Sequence, residues 1–174
     1  MPLLCAQLEL EKRLEKIKVD LALRTDFNLI DTFRLFDAQG KGWITAEEVA
    51  NGLFDYFSVT VQPKDLALYM NRYDKDRDGR LKYSEFCDSF LPLDPFHAKL
   101  LAKKAPLNVR EAPRRDLLYY PETRELLIAC WRMHFEHEIE AERLRVLFQK
   151  NNPNFDGYSC FSLIDGKGDG MIDT

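Results

Sequence analysis

Acidic side chains recur at alternate positions in one short segment, and together they could hold a metal ion. Asp74, Asp76 and Asp78 are followed by Gly79, and Glu85 ends the segment. A chain that curls through these positions brings carboxylate oxygens to one point. Oxygen ligands at about 2.3–2.6 Å are what Ca²⁺ requires. The predicted chemistry is therefore the binding of a single Ca²⁺.

The remaining positions of this segment fit the same role. Gly79 permits a sharp turn that a Cβ would obstruct, and Arg80 offers its backbone carbonyl. Glu85 can supply two oxygens from the first turn of the next helix. The side chain of Lys82 cannot accept a hydrogen bond from a water ligand, so we expect a dissociation constant on the order of 10⁻⁶ to 10⁻⁴ M. The predicted metal ligands are Asp74, Asp76, Asp78, Arg80 and Glu85.

The segment 37–48 keeps the frame of this pattern without its full ligand set. Asp37, Gly42 and Glu48 stand at the matching positions, but Lys41 occupies a ligand position. An ammonium group has no lone pair and competes with a cation for the same carboxylates. Gln39 is at best a neutral ligand. We expect this segment to stabilise the structure without binding metal.

A third, partial copy lies at the end of the chain. The residues around Phe27 to Ile44 return weakly at Phe155 to Ile172, and an internal repeat of this kind indicates a repeated structural unit. Its acidic segment begins at Asp165, carries a lysine at the third position and stops before a terminal glutamate. We expect half a unit here without a functional ion site, and a chain that continues past this point.

Helical periodicity surrounds these segments. Apolar residues at helical spacing precede and follow the acidic segment 74–85, and Leu81 is predicted to lie in a short two-stranded ribbon. A first helix is predicted over 3–24 and a long one from Pro121 to about Lys150. The apolar positions are Leu10, Leu14, Ile17, Leu21, Leu66, Tyr69, Met70, Tyr73, Phe86, Phe90, Leu127, Trp131, Phe135 and Ile139.

The segment 26–90 resembles the EF-hand proteins of the calmodulin superfamily, because 74–85 reads D-x-D-x-D-G-x₅-E. The likeness returns in part from Phe155. The residues 92–95 and 140–144 resemble divergent EF-hand proteins of ciliates and related protists. The resemblance implies an all-α fold with a paired EF-hand lobe, tandem lobes separated by long helices, and a cytoskeletal or ciliary setting.

The predicted organisation has four parts. They are an N-terminal amphipathic helix in 1–25, the EF-hand pair in 26–91, a short helix and an extended linker in 92–120, and a long helix with an incomplete third EF-hand in 121–174. Asp94 is predicted to cap the short helix, which would run from Pro95 through Lys104.

Two histidines on the long helix, His134 and His137, share a face beside Glu138. Two such residues can begin a zinc site, but no further ligand is evident in the sequence. We therefore expect a solvated helix face. Trp43 and Trp131 are predicted to be packing or interface anchors.

Composition excludes several classes of function. The net charge of −4, without a basic cluster, does not favour binding to nucleic acid. No stretch approaches the roughly 18 apolar residues of a membrane span, and no signal peptide is evident. The four scattered cysteines fit free thiols in a reducing, cytoplasmic compartment. No nucleophile elbow, P-loop or zinc-protease motif is present, so we expect no enzyme activity and no small-molecule substrate.

Three functions remain open. The first is a Ca²⁺-responsive regulatory protein that binds protein partners, and the second is a structural component of a cytoskeletal or ciliary assembly in which Ca²⁺ only stabilises the fold. The third is a regulatory piece of a larger enzyme. The scarcity of methionine, with four in the chain, counts against a promiscuous apolar groove.

Overall fold

The computed structural model describes residues 2–107 and 119–171. Helices form nearly all of the regular structure in these ranges, which confirms the predicted all-α fold. The elements are α1 Pro2–Leu23, α2 Leu29–Phe36, β1 Trp43–Thr45, α3 Ala46–Phe57, α4 Pro63–Tyr73, β2 Arg80–Lys82, α5 Tyr83–Phe90, α6 Pro95–Ala102, α7 Pro121–Asn151 and α8 Gly157–Ile164.

Two helix–loop–helix units, α2–α3 and α4–α5, are joined by a small antiparallel ribbon. Its strands β1 and β2 pair Ile44 with Leu81, and both side chains are fully buried. β-branched and aliphatic residues fit a short pleated segment whose inner face is buried. The ribbon holds the two intervening loops side by side, as the sequence predicts for Leu81.

Local sequence signals explain where the helices begin. Asn28 caps α2 by accepting the N–H of Asp31, at 2.8 Å. Thr45 and Glu48 form a reciprocal capping box at the start of α3. Asp94 caps α6, as predicted, although this helix ends at Ala102 rather than at Lys104. Such caps satisfy backbone donors that have no partner inside the helix.

The chain divides into two compact units, Met1–Ala141 and Glu142–Thr174. The first unit contains the buried core, to which α1 contributes Leu14 and Leu21. The first part of α7 belongs to this unit and contributes Leu127, Trp131 and Phe135 to the same core. The second unit contains the end of α7 and helix α8.

The start of α7 is fixed to the helix–loop–helix pair by Asp26. One oxygen of this buried carboxylate accepts the N–H of Tyr120 at 2.6 Å, and the other accepts the hydroxyl proton of Thr123 at 2.7 Å. The Nε of Arg24 also donates to Thr123 Oγ1, at 2.8 Å. A residue distant in sequence therefore accepts hydrogen bonds from two residues at the start of this helix.

The prediction of a solvated histidine face on α7 is wrong. His134 is 1% exposed and His137 is 3% exposed. His134 lies among the rings of Tyr69, Tyr73 and Phe90, with centroid distances of 5.4–5.9 Å. The apolar periodicity of α7 predicts only one buried face. A second face of this helix is covered by α1 and α4, and its histidines are buried there because they form hydrogen bonds with Glu11 and Tyr73.

Most of the predicted extended linker in 105–120 lies outside the described residues, since 108–118 are not described. Among the described cysteines, Cys87 and Cys130 are buried free thiols and Cys160 is an exposed one. In the described ranges, no helix is both long enough and apolar enough to cross a bilayer.

Candidate metal centre

The second loop, residues 74–85, is shaped by its first aspartate. Asp74 directly follows α4, and its two carboxylate oxygens accept the N–H groups of Asp78 at 3.1 Å and Gly79 at 2.8 Å. Arg77 and Gly79 take positive φ angles of 59° and 79°. The left-handed turn at Gly79 is the conformation for which a residue without Cβ is favoured.

Glu85 connects the two ends of the second loop. Its carboxylate accepts the N–H of Lys75 at 2.9 Å and the N–H of Lys82 at 2.9 Å, and the residue is 6% exposed. It stands in the first turn of α5, where the helix dipole favours a negative charge. A buried glutamate held at this point can turn toward a cation enclosed by the loop.

Three of the predicted ligands converge. One carboxylate oxygen from each of Asp74, Asp76 and Asp78 lies within 4.8 Å of the other two. Within the described ranges, this is the one group of three or more acidic, histidine or cysteine side chains close enough to share an ion. Glu85 is not part of that group, and Arg80 contributes backbone to strand β2. The donor set is entirely oxygen, which fits a hard cation such as Ca²⁺.

Lys82 reaches back into this carboxylate cluster. Its ammonium group donates a short hydrogen bond to Asp76 Oδ2 and lies 3.3 Å from Asp78 Oδ2. The hydrogen bond from Lys82 lowers the pKa of Asp76, and the same contact raises the pKa of Lys82. The lysine at the ninth position therefore neutralises two carboxylates that a metal ion would bind.

The first loop, residues 37–48, uses a lysine in a different way. Lys41 Nζ lies 2.5 Å from Glu48 Oε1, so the cation at the fifth position pairs with the carboxylate at the last position. Asp37 accepts the N–H groups of Lys41 at 2.8 Å and Gly42 at 2.7 Å. This internal ion pair closes the first loop.

The third loop begins like the other two. Asp165 accepts the N–H groups of Gly168 and Gly170, each at 2.8 Å, and the two glycines have φ angles of 67° and 81°. The first loop shows 68° and 83° at the equivalent glycines 40 and 42. The weak internal repeat therefore corresponds to shared backbone geometry. The predicted continuation through residues 172–174 lies outside the described residues.

Trp43 connects the first and second loops on their outer side. Lys41 Nζ lies 3.9 Å from the centre of its ring, and the guanidinium carbon of Arg80 lies 4.0 Å from it. Both contacts are cation–π interactions. Trp43 is thus an anchor between the loops, as the sequence suggests, and it touches a residue of the predicted ion site.

Comparison with known proteins identifies this region. Residues 26–91 match the family described as an EF-hand domain pair. The match spans both helix–loop–helix units and the ribbon between them. Residues 26–91 are an EF-hand pair. EF-hand loops bind Ca²⁺, which is therefore the ion that residues 26–91 imply.

Relatives of this EF-hand pair occur in plants. Probable calcium-binding protein CML28 of Arabidopsis thaliana is 41% identical over 56 residues, which cover 32% of this chain and 65% of the relative. Probable calcium-binding protein CML17 of the same plant is 36% identical over 63 residues, covering 36% of this chain and 37% of the relative.

Calcium-dependent protein kinase 22 of Arabidopsis thaliana is 36% identical over 66 residues, covering 37% of this chain and 13% of the kinase. The chain therefore spans less than two thirds of the length of these relatives. No solved structure was found to match it.

Sequence reasoning missed what covers the EF-hand pair. The rings of Phe36, Tyr69, Phe86 and Phe90 form an apolar groove, and Trp131 of α7 fills it with ring centroids 5.0–6.4 Å away. The apolar stripe on α7 was visible in the sequence. Apolar periodicity predicts that one face of a helix is buried, but it does not predict which part of the protein covers that face.

Proposed function

We propose that this protein is a Ca²⁺-binding regulatory protein with one competent site in the second loop, acting through protein partners rather than as an enzyme. The convergence of Asp74, Asp76 and Asp78 within 4.8 Å is the observation that carries the proposal. Glu85, hydrogen-bonded to both ends of the loop, completes the ligand set together with the carbonyl of Arg80. A cytoplasmic location, with a cytoskeletal or ciliary setting, belongs to this proposal.

Calcium titration by calorimetry tests the site. We expect the wild-type chain to bind one Ca²⁺ with a dissociation constant on the order of 10⁻⁶ to 10⁻⁴ M. Glu85→Gln removes one charged oxygen while keeping the size of the side chain, and it should weaken binding by about ten-fold or more.

Glu48→Gln is the matched control, because Glu48 holds the same position in the first loop and pairs with Lys41. It should leave the stoichiometry and the affinity of the second loop unchanged. Equal uptake of Ca²⁺ by the wild type and Glu85→Gln would remove the assignment of the site.

A structural role is the second candidate, because the groove is already filled by Trp131 of the chain itself. In that case Ca²⁺ stabilises the first unit without changing it. Amide NMR spectra recorded with and without Ca²⁺ separate the two candidates. A regulatory protein should show shifts that extend into α7, whereas a structural one should show shifts confined to the second loop.

A regulatory part of a larger enzyme is a third candidate, favoured by the match to the EF-hand segment of a calcium-dependent protein kinase. The match to that kinase covers only its EF-hand part. It therefore identifies no catalytic residue in this chain. A reading frame that continues into a catalytic domain would support this candidate.

A further inference from the structure

The groove of the EF-hand pair is occupied by the chain's own helix α7. Trp131 is fully buried, and its ring lies 5.4 Å from that of Phe36, 5.0 Å from Tyr69 and 5.4 Å from Phe90. These three rings belong to α2, α4 and α5. An amphipathic helix that inserts an aromatic anchor into an apolar groove is a recurrent mode of helix recognition. Here, ligand and groove are parts of one compact unit.

The walls of this groove are continuous with the second loop. Asp74 directly follows α4, and Tyr73, the last residue of that helix, hydrogen-bonds through its hydroxyl to His134 Nδ1 at 3.2 Å. Phe86, whose ring lies 6.4 Å from that of Trp131, directly follows Glu85. The side chains of Tyr73 and Phe86, which contact α7, are therefore covalent neighbours of the first and last residues of the second loop.

The contact between α7 and the groove also contains an uncompensated polar atom. Trp131 Nε1 is buried and has no hydrogen-bond partner among the described residues. Burial lowers the pKa of the neighbouring His134, so its ring is neutral. A buried donor without a partner raises the free energy of the docked arrangement. The aromatic contacts favour docking, and this unpaired donor opposes it.

We propose that residues 121–138 of α7 are an intramolecular ligand of the EF-hand groove, and that their docking is coupled to Ca²⁺ binding in the second loop. The proposal rests on the proposed Ca²⁺ site. In the docked arrangement the three aspartates converge and Glu85 holds both loop ends. Docked α7 and a compact loop belong to the same conformation, so each favours the other, and the coupling is reciprocal.

Calorimetric Ca²⁺ titration of the full chain tests the coupling. Trp131→Ala empties the groove without touching a ligand, and it should weaken Ca²⁺ binding by about five-fold or more. Trp131→Phe keeps an aromatic anchor and should stay within about two-fold of the wild type. Leu101→Ala is the control, because Leu101 is 1% exposed in the same core but lies on α6. It should leave Ca²⁺ affinity unchanged.

The outcomes separate this inference from the proposed function. If Glu85→Gln loses Ca²⁺ but Trp131→Ala binds it as tightly as the wild type, the coupling is overturned and the site stands. If the wild type binds no Ca²⁺, both fail.

If circular dichroism shows that Trp131→Ala does not fold, amide hydrogen exchange of the wild-type chain decides. Slower exchange across 121–138 in Ca²⁺ supports the coupling, and unchanged exchange there overturns it.

Discussion

At the scale of single residues, the second loop combines a complete set of predicted ligands with a competing cation. Lys82 was recognisable from the sequence as a residue that cannot orient a water ligand. The structure adds that its ammonium group contacts Asp76 and Asp78 directly. Ca²⁺ has to displace this group before it can take both carboxylates, which lowers the net gain from binding.

Replacing Lys82 should therefore strengthen Ca²⁺ binding. We expect Lys82→Ser to lower the dissociation constant by about three- to ten-fold in a calorimetric titration, because two carboxylates are freed from an ion pair. Lys75→Ser is the control, since Lys75 pairs through its side chain with Asp88, at 2.5 Å, instead of a predicted ligand. An equal gain from both substitutions would show that net charge, rather than the contact with Asp76 and Asp78, limits affinity.

The buried histidines of α7 respond to pH in opposite directions. The hydrogen bond to Glu138 raises the pKa of His137, and Glu11 contributes to the same shift. Arg72 lies near both carboxylates, at 3.9 Å from Glu11 and 3.7 Å from Glu138. Desolvation instead lowers the pKa of His134. Stabilisation by protonated His137 is complete below the unfolded pKa of about 6.5 and is lost as pH rises through its higher folded pKa.

His137→Gln should reveal this dependence. The loss in the free energy of unfolding caused by the substitution should be larger at about pH 6 than at about pH 8.5, measured by urea denaturation. Comparing the variant with the wild type at each pH removes the contribution of His134. His134 is buried with a neutral ring in the wild type and in the variant, so it destabilises both proteins progressively as pH falls below about 6.5. A pH-independent difference would contradict the role of the imidazolium.

At the scale of elements, the sequence determined most helices and left their contacts open. Pro121 and the stripe through Trp131 predicted α7, and Asp94 with Pro95 predicted α6, because capping and periodicity are local properties. The burial of His134 and His137 was not predictable from them. It depends on hydrogen bonds with Tyr73 and with Glu11 of α1, which are separated from the histidines by much of the chain.

Helices α2 and α3 approach closely at Gly52, so a larger side chain at this position should destabilise the protein. Replacing glycine by alanine inside a helix usually stabilises it by about 0.5–1 kcal/mol. At Gly52 a Cβ would lie 2.5 Å from Cδ1 of Phe36, a ring that is only 3% exposed. We expect Gly52→Ala to destabilise the protein by about 1–3 kcal/mol in urea denaturation. Gly157→Ala, where the nearest atom is 3.9 Å away, should cause no loss.

At the scale of the whole molecule, a filled groove changes what Ca²⁺ can expose. Sensor EF-hands open on binding Ca²⁺ and present an apolar surface. Here Trp131 and its neighbours on α7 already cover that surface. The sequence predicted the five ligands, and the structure brings Asp74, Asp76 and Asp78 of that set together. What Ca²⁺ can expose depends instead on the tertiary position of α7.

We expect Ca²⁺ to raise the fluorescence of an apolar dye such as anilinonaphthalene sulfonate by less than about two-fold in the wild-type chain. Trp131→Ala should bind more dye with or without Ca²⁺, because the groove is then uncovered. A large increase in dye fluorescence on adding Ca²⁺ to the wild type would show that α7 leaves the groove when the ion binds.

The placement of the two tryptophans has a practical consequence for spectroscopy. Trp43 is half-buried beside the loops and stacked against two cations, whereas Trp131 is sealed from solvent within the groove. Their intrinsic emission should differ in wavelength and in accessibility to a soluble quencher such as iodide. One optical titration can thus follow the ion site and the docked helix as separate signals, without attaching any label.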